Sequence, residues 1–167
     1  TLHSRGKRVI AEITLPAELL REKMRTTPQA MYAARMTSQL GGLMAGAVHN
    51  GVHPANGIAA VFIATGQDEA NVAESHASLV HAEVTPGGDY YYSVTLPSLI
   101  VATYGGGTGL ATQRECLETM SCYGAGKARK LAEIIAATVL CGEVSLGAAV
   151  VSEEWVSSHD ELGRNRP

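Results

Sequence analysis

A helix expected from about Lys127 to Val151, carrying Leu131, Ile134, Ile135, Val139 and Val144 at helical spacing, shares this chain with a hairpin signature. In the hairpin, Leu79 to Val84 and Tyr90 to Leu96 alternate polar and apolar residues around Thr85-Pro86-Gly87-Gly88-Asp89. A 3.6-residue period and a 2-residue period in one chain predict an α+β unit, with long central helices packed on a small antiparallel sheet. Arg8 to Leu15 alternates as well and reads as a further strand, with Val9, Ala11, Ile13 and Leu15 on one face. Leu99 to Tyr104 is expected to extend the sheet.

The remaining helices follow from punctuation. Pro16 sits where a helix can begin, and Leu19, Leu20 and Met24 follow it. Thr27-Pro28 reads as N-cap and first helical position of a long segment reaching about Val48. Its second half holds Gly41, Gly42 and Gly46. Each costs a helix about 1 kcal/mol relative to alanine, which points to close contact with another backbone or a ligand. Ile58 to Ala64 is continuously apolar, hence a buried helix or strand. Another helix is expected from about Thr112 to Met120, and Glu153 to Pro167 reads as a polar tail. No repeat or linker divides the 167 residues, so one unit is expected.

Composition narrows the function classes. Hydrophobic residues make up 46 % and charged residues 17 %, enough for a core, while Phe and Trp occur once each, so that core is aliphatic and small. A net charge of −3 offers no field for nucleic acid. No apolar stretch is expected to reach the ~20 residues of a bilayer span. Cys116, Cys122 and Cys141 share no metal-ligand spacing, and their odd number fits a reducing, cytoplasmic compartment. Cys141 lies in an apolar run and is expected to be a buried thiol.

Several residues can carry chemistry. Asp68 ends the apolar run, either as a helix-end charge in water or as a core-edge carboxylate able to relay a proton. Gly105-Gly106-Gly107-Thr108 lies between an expected strand and a helix. It can present backbone N–H groups to a phosphate or oxyanion, or serve only as a flexible strand-to-helix turn. It matches neither a Walker loop nor a dinucleotide fingerprint. His159 is either solvated or, with the tail folded over a cleft, a proton donor of near-neutral pKa. His53, before Pro54, can cap a helix or contact a ligand.

Taken in order, these segments resemble one family. His53-Pro54-Ala55-Asn56, Ala64-Thr65-Gly66-Gln67-Asp68-Glu69-Ala70-Asn71, Leu96-Pro97-Ser98, Tyr104-Gly105-Gly106-Gly107-Thr108, Cys141-Gly142-Glu143-Val144-Ser145-Leu146 and Ser158-His159 follow the pattern of hydroxymethylglutaryl-coenzyme A reductases, as do Arg5-Gly6-Lys7 and Thr26-Thr27. The likeness covers essentially the whole chain and implies the carboxy-terminal part of the reductase's large catalytic domain. It implies two hydride transfers from NADPH or NADH that convert a coenzyme A thioester to mevalonate. Asp68 then corresponds to the catalytic aspartate that bonds a catalytic lysine, and His159 to the acid that protonates the departing thiolate. Asn56, His53 and Ser145 fall at substrate-binding positions. Gln67, Tyr104, Gly105, Gly106, Gly107 and Arg164 fall at cofactor positions. A homodimer or larger homo-oligomer is implied, with the upstream part of the catalytic domain as a further partner. No metal, nucleic acid or membrane segment is expected.

Departures accompany the likeness. The family's catalytic lysine, in an Asp-Lys-Lys loop, its catalytic glutamate and its ferredoxin-like cofactor domain all correspond to positions before Thr1. A second lysine, which clamps the substrate's free carboxylate, corresponds to the neighbourhood of Thr37. Here Met36-Thr37-Ser38-Gln39 stands there, with Arg35 the nearest basic residue. Three outcomes stand open: Arg35 substitutes for the lysine, the substrate differs, or activity is impaired. The stretch from Tyr123 to Arg129 is also shorter than in many members.

Overall fold

The structure, a computed structural model, describes residues 5–163. Three strands form one antiparallel sheet in the order β1-β3-β2, from β1 (Lys7–Leu15), β2 (Leu79–Val84) and β3 (Tyr90–Leu99). Alternation fixes the register. Leu15, Ala11 and Val9 pair with Tyr90, Val94 and Leu96, while Val80 and Ala82 pair with Val94 and Tyr92. All these β3 residues are buried, so a one-residue slip would turn Tyr90, Tyr92, Val94 and Leu96 into water. Leu99–Tyr104 does not extend the sheet as expected: β3 absorbs Leu99, and residues 100 to 104 carry no strand. Their apolar character instead serves burial, with Leu99 and Val101 in the core.

Helices cover one face. They are α1 (Ala17–Met24), α2 (Pro28–Met44), α3 (Pro54–Thr65), the short α4 (Val72–Ser75), α5 (Ala111–Thr119), α6 (Ala128–Val151) and α7 (Glu154–Glu161). Their starts obey local chemistry. Thr27 accepts the Ala30 N–H at 3.2 Å and Pro28 takes the first position of α2. Pro16 supplies no side-chain cap to α1; Asp89 of the hairpin turn accepts the Ala17 N–H at 2.9 Å instead. The continuous apolar run resolves as helix α3, with Ile58 and Phe62 fully buried and Gly66 left-handed at its end. The polar tail is not a mere extension, since residues 154–161 form α7.

The helix α6 is the hub. It packs against β1, β3, α2, α3 and α7, and its buried stripe runs from Leu131 through Ile135 and Val139 to Val144 and Ala148. At 24 residues it is long and apolar enough, by length and composition alone, to cross a bilayer. Its packing under the sheet accounts for the same composition, because a helix apolar over most of its circumference belongs either in a core or in lipid.

Two expectations about small residues change. Cys141 is exposed on α6 and Cys122 is the buried thiol, because helical phase rather than local hydropathy decides which side faces in. Among the described residues, the glycines in and just after α2 meet no close backbone: a Cβ at Gly41 or Gly46 would find nothing within 4 Å. Around them Leu40, Leu43, Met44 and Val48 are exposed. Phe62, the single phenylalanine, is fully buried on α3, which packs on α5 and α6. Phe62→Ala is expected to lower unfolding free energy by about 3–5 kcal/mol with no change in m, read from urea denaturation.

Candidate functional site

The start of α3 faces a cavity of about 670 Å³ between α2, α6 and the sheet. Arg35 and Ser38 of α2, Asn56 of α3, Tyr92 of β3, Glu143 of α6 and Trp155 of α7 all contribute to its wall. Apart from these, the lining is mainly apolar, including Met31, Leu146 and Val150. Such a cavity suits a largely apolar group with a few fixed polar contacts.

Glu143 is the polar centre, and the sequence reading passed over it. The residue is buried, and its side chain is fully withdrawn from water. It accepts the backbone N–H groups of Val52 and His53, each at 2.6 Å, and the Tyr92 hydroxyl at 2.6 Å. Arg35 lies 3.9 Å away. The guanidinium also donates to the Asn50 carbonyl, and its Nε is buried without a partner. Asn50 in turn bonds both backbone groups of Val80, tying this corner to β2. The signal available was a carboxylate inside the apolar run from Ile134 to Val151, since a charge in such a run must recruit donors.

Arg35 is thereby committed. Its charge is balanced by Glu143, and the pair is buried on both sides, at 6 % and 0 % side-chain exposure. Thr37, expected near a carboxylate clamp, is exposed and donates its hydroxyl to the Ala33 carbonyl at 3.1 Å. The phenols report the local field. Burial, with the Glu143 charge beside it, pushes Tyr92 far above the usual tyrosine range. Burial, against a smaller opposing pull from Arg35, raises Tyr90 to about 12.

His53 sits against glycines. A Cβ at Gly142 would lie 2.1 Å from its ring, and one at Gly57 would lie 2.6 Å away, so both positions exclude any larger residue. Its Nδ1 is buried without a partner. Ser145, expected among substrate contacts, is exposed on α6 and is not among the cavity-lining residues. His159 lies on α7, where Nδ1 is 2.5 Å from the Trp155 carbonyl and the two rings lie 4.3 Å apart, tilted at 45°. A carbonyl only accepts, so Nδ1 carries the hydrogen and Nε2 is the atom that exchanges a proton in the neutral ring. Through Trp155, His159 belongs to the cavity end of the molecule.

Asp68 lies at the other end of α3. Nine residues separate Asn56 from Thr65, or about 14 Å of helix, and Asp68 lies beyond it. Asp68 is exposed and accepts the Ala70 N–H at 3.0 Å, capping a 3₁₀ turn at Glu69–Asn71. Its neighbour Gln67 grips Ala102 twice, donating to its carbonyl at 2.9 Å and accepting its N–H at 2.8 Å. This grip holds the segment leading to Tyr104, Gly105, Gly106 and Gly107. Gly66 and Gly107 abut, and a Cβ on Gly66 would lie 2.3 Å from the Gly107 carbonyl oxygen. Tyr104, Gly105 and Gly106 are exposed, and a Cβ at Gly105 or Gly106 would meet nothing within 4 Å. The turn therefore offers bare backbone to a flat ring or a phosphate, which fits a nucleotide cofactor. Arg164 lies outside the described residues. Among the described residues no group of three His, Cys, Asp or Glu side chains is placed to hold a metal ion.

The chain thus presents two sets of groups, one at each end of α3. Residues 1–164 match the family model for hydroxymethylglutaryl-coenzyme A reductase. The chain is similar to the 3-hydroxy-3-methylglutaryl-coenzyme A reductase of Pyrococcus horikoshii, at 44 % identity covering 96 % of this chain and 40 % of that protein. It is similar to the protein of that name from Aeropyrum pernix at 46 % identity, covering 96 % and 39 %. With the Drosophila melanogaster protein of that name the identity is 42 %, covering 98 % and 19 %. The chain spans about two-fifths of the length of the first two relatives.

The shift at Tyr90 carries a pH consequence. Its folded value is raised above the ordinary 10, so the stability linked to it is complete below about pH 10 and is lost as pH rises through about 12. Thermal unfolding followed from pH 9 to 12 should show a falling Tm, and Tyr90→Phe should flatten part of the fall.

Proposed function

We propose a function on the premise that this chain belongs to the hydroxymethylglutaryl-coenzyme A reductase family, as the match over residues 1–164 and identities of 42–46 % establish. The protein that carries it reduces 3-hydroxy-3-methylglutaryl-coenzyme A to mevalonate and coenzyme A, in the cytoplasm. The observation that carries this reading is one cavity that gathers Asn56, the His53 end of α3 and, through Trp155, His159. NADPH or NADH supplies two hydrides when bound, and the bare turn from Tyr104 to Gly107 is the part of this chain suited to hold it.

The remaining roles belong to the chain's own groups. Asn56 hydrogen-bonds the substrate from the cavity wall. His53 and Ser145 are assigned to the coenzyme A arm. Asp68, acceptor-only when ionised, pairs with the lysine expected upstream and steadies the proton it delivers to the thioester carbonyl oxygen. After the first hydride the carbon–sulfur bond of the hemithioacetal breaks, and the thiolate takes a proton from Nε2 of protonated His159. Gln67 contributes by fixing Ala102, and through it the cofactor turn.

One chain does not bring Asp68 and Asn56 to a single carbonyl, since α3 stands between them. A homodimer solves this by setting Asp68 of one copy beside the cavity of the other. The exposed stripe of Leu40, Leu43 and Met44 around Gly41 and Gly46 supplies an apolar surface for such association.

A second reading rests on Arg35. Its charge is spent on Glu143 and the Asn50 carbonyl, which favours a homologue with an altered acyl group. Loss of NADPH or NADH absorbance with 3-hydroxy-3-methylglutaryl-coenzyme A, measured on the full-length protein, decides between them. Turnover supports the reductase, and its absence with both cofactors sinks it.

Within the first reading, Asp68→Asn should lower kcat by about 100-fold or more while Tm stays unchanged. His159→Gln should slow thioester reduction far more than reduction of free mevaldehyde, which releases no thiolate. Equal losses on the two substrates would remove His159 from the proton-transfer step.

A further inference from the structure

We infer that Glu143 is a positioning residue: from its buried place on α6 it fixes the start of α3, and so sets where Asn56 meets the bound substrate. A helix start leaves backbone N–H groups unbonded. His53 provides no side-chain cap to α3. Glu143 takes up the two N–H groups that lead into the helix, those of Val52 and His53, from a different element. Its second oxygen holds the Tyr92 hydroxyl of β3. One carboxylate thereby joins helix, helix and sheet at the cavity floor, four residues or fewer before Asn56.

Three further observations give the joint a fixed geometry. Arg35 balances the charge and holds the Asn50 carbonyl two residues before Val52. The His53 ring is seated against Gly57 and Gly142, so it cannot shift if α3 keeps its place on α6. Pro54 opens the helix and restricts the backbone at His53. The segment from Asn50 to Asn56 is consequently set by Glu143 and not by the helix itself. Glu143 touches no reacting atom in this account. It acts through the backbone at His53, and its kinetic effect rests on the reductase reading above.

The test uses the full-length protein and two readouts. In Glu143→Gln the carboxamide offers one oxygen where two oxygens accepted before, and Arg35 loses its counter-charge. Tyr92→Phe is milder, since it removes one donor and leaves the Arg35–Glu143 pair intact. Amide hydrogen exchange at Val52 and His53 should quicken about tenfold in Glu143→Gln relative to the amides of β3, and by a smaller factor in Tyr92→Phe. Unchanged exchange in both variants overturns the inference. If Glu143→Gln does not fold, Tyr92→Phe carries this measurement alone.

The second readout is a double-mutant cycle on kcat/KM for 3-hydroxy-3-methylglutaryl-coenzyme A. Tyr92→Phe should cost about fivefold in the native background and no further loss in an Asn56→Ala background, because both act through one contact. Additive losses would mean that Tyr92 and Glu143 only stabilise the fold, and would overturn the role. Absence of turnover in the unmodified protein is a different result. It removes the reductase reading, and the positioning of α3 is then decided by exchange alone.

Discussion

A carboxylate withdrawn from water costs several kcal/mol unless donors and a counter-charge surround it. Glu143 has two backbone N–H groups, a phenol and, at longer range, a guanidinium. These partners come from three stretches of chain, so satisfying one buried charge on α6 ties four segments together at once. The hub helix α6 cannot rotate without breaking these bonds. Tyr92 cannot leave the inner face of β3, and α3 cannot begin one residue earlier or later. The hydrophobic stripe of α6 determines that it is buried. Glu143 determines its phase and its depth.

From that joint, α3 works as a spacer of defined length. One end carries the groups of an apolar, partly polar-walled cavity. The other abuts a glycine turn held by Gln67. The two ends differ in character because they serve different contacts. The cavity end is enclosed by side chains from five elements, with its internal ion pair neutral overall. The far end is open backbone with an exposed carboxylate. A helix of fixed length is a rigid way to hold two such different surfaces apart.

Much of this was legible in the residues. The hairpin, the Thr27-Pro28 start and the long helix were plain because each is set by local spacing. The two-way reading of Ile58 to Ala64 was open because a short apolar run has no period, and Gly66 closes it as a helix. Leu99 to Tyr104 misled because apolar residues were taken for sheet when they serve burial in an irregular segment. Cys141 misled for a similar reason, since a run that is apolar on average still has an outer face. The candidate site residues were picked out by their order along the chain, not by their individual chemistry. Glu143 lay inside one of those motifs and was passed over, because its partners are backbone groups of Val52 and His53, some ninety residues away. Nothing in a linear reading brings them together.

The contact between Gly66 and Gly107 has a consequence for how such a chain can vary. The two positions lie forty-one residues apart, yet each is small because the other's backbone occupies the missing side chain's place. They form one shared constraint, so neither can be enlarged first and the other adjusted later. A drifting sequence meets a closed door at both positions, whereas the exposed turn residues Gly105 and Gly106 answer only to their own backbone angles. The seam between the end of α3 and the glycine turn is therefore held by packing from two sides, while the rim of the turn is limited by left-handed backbone alone.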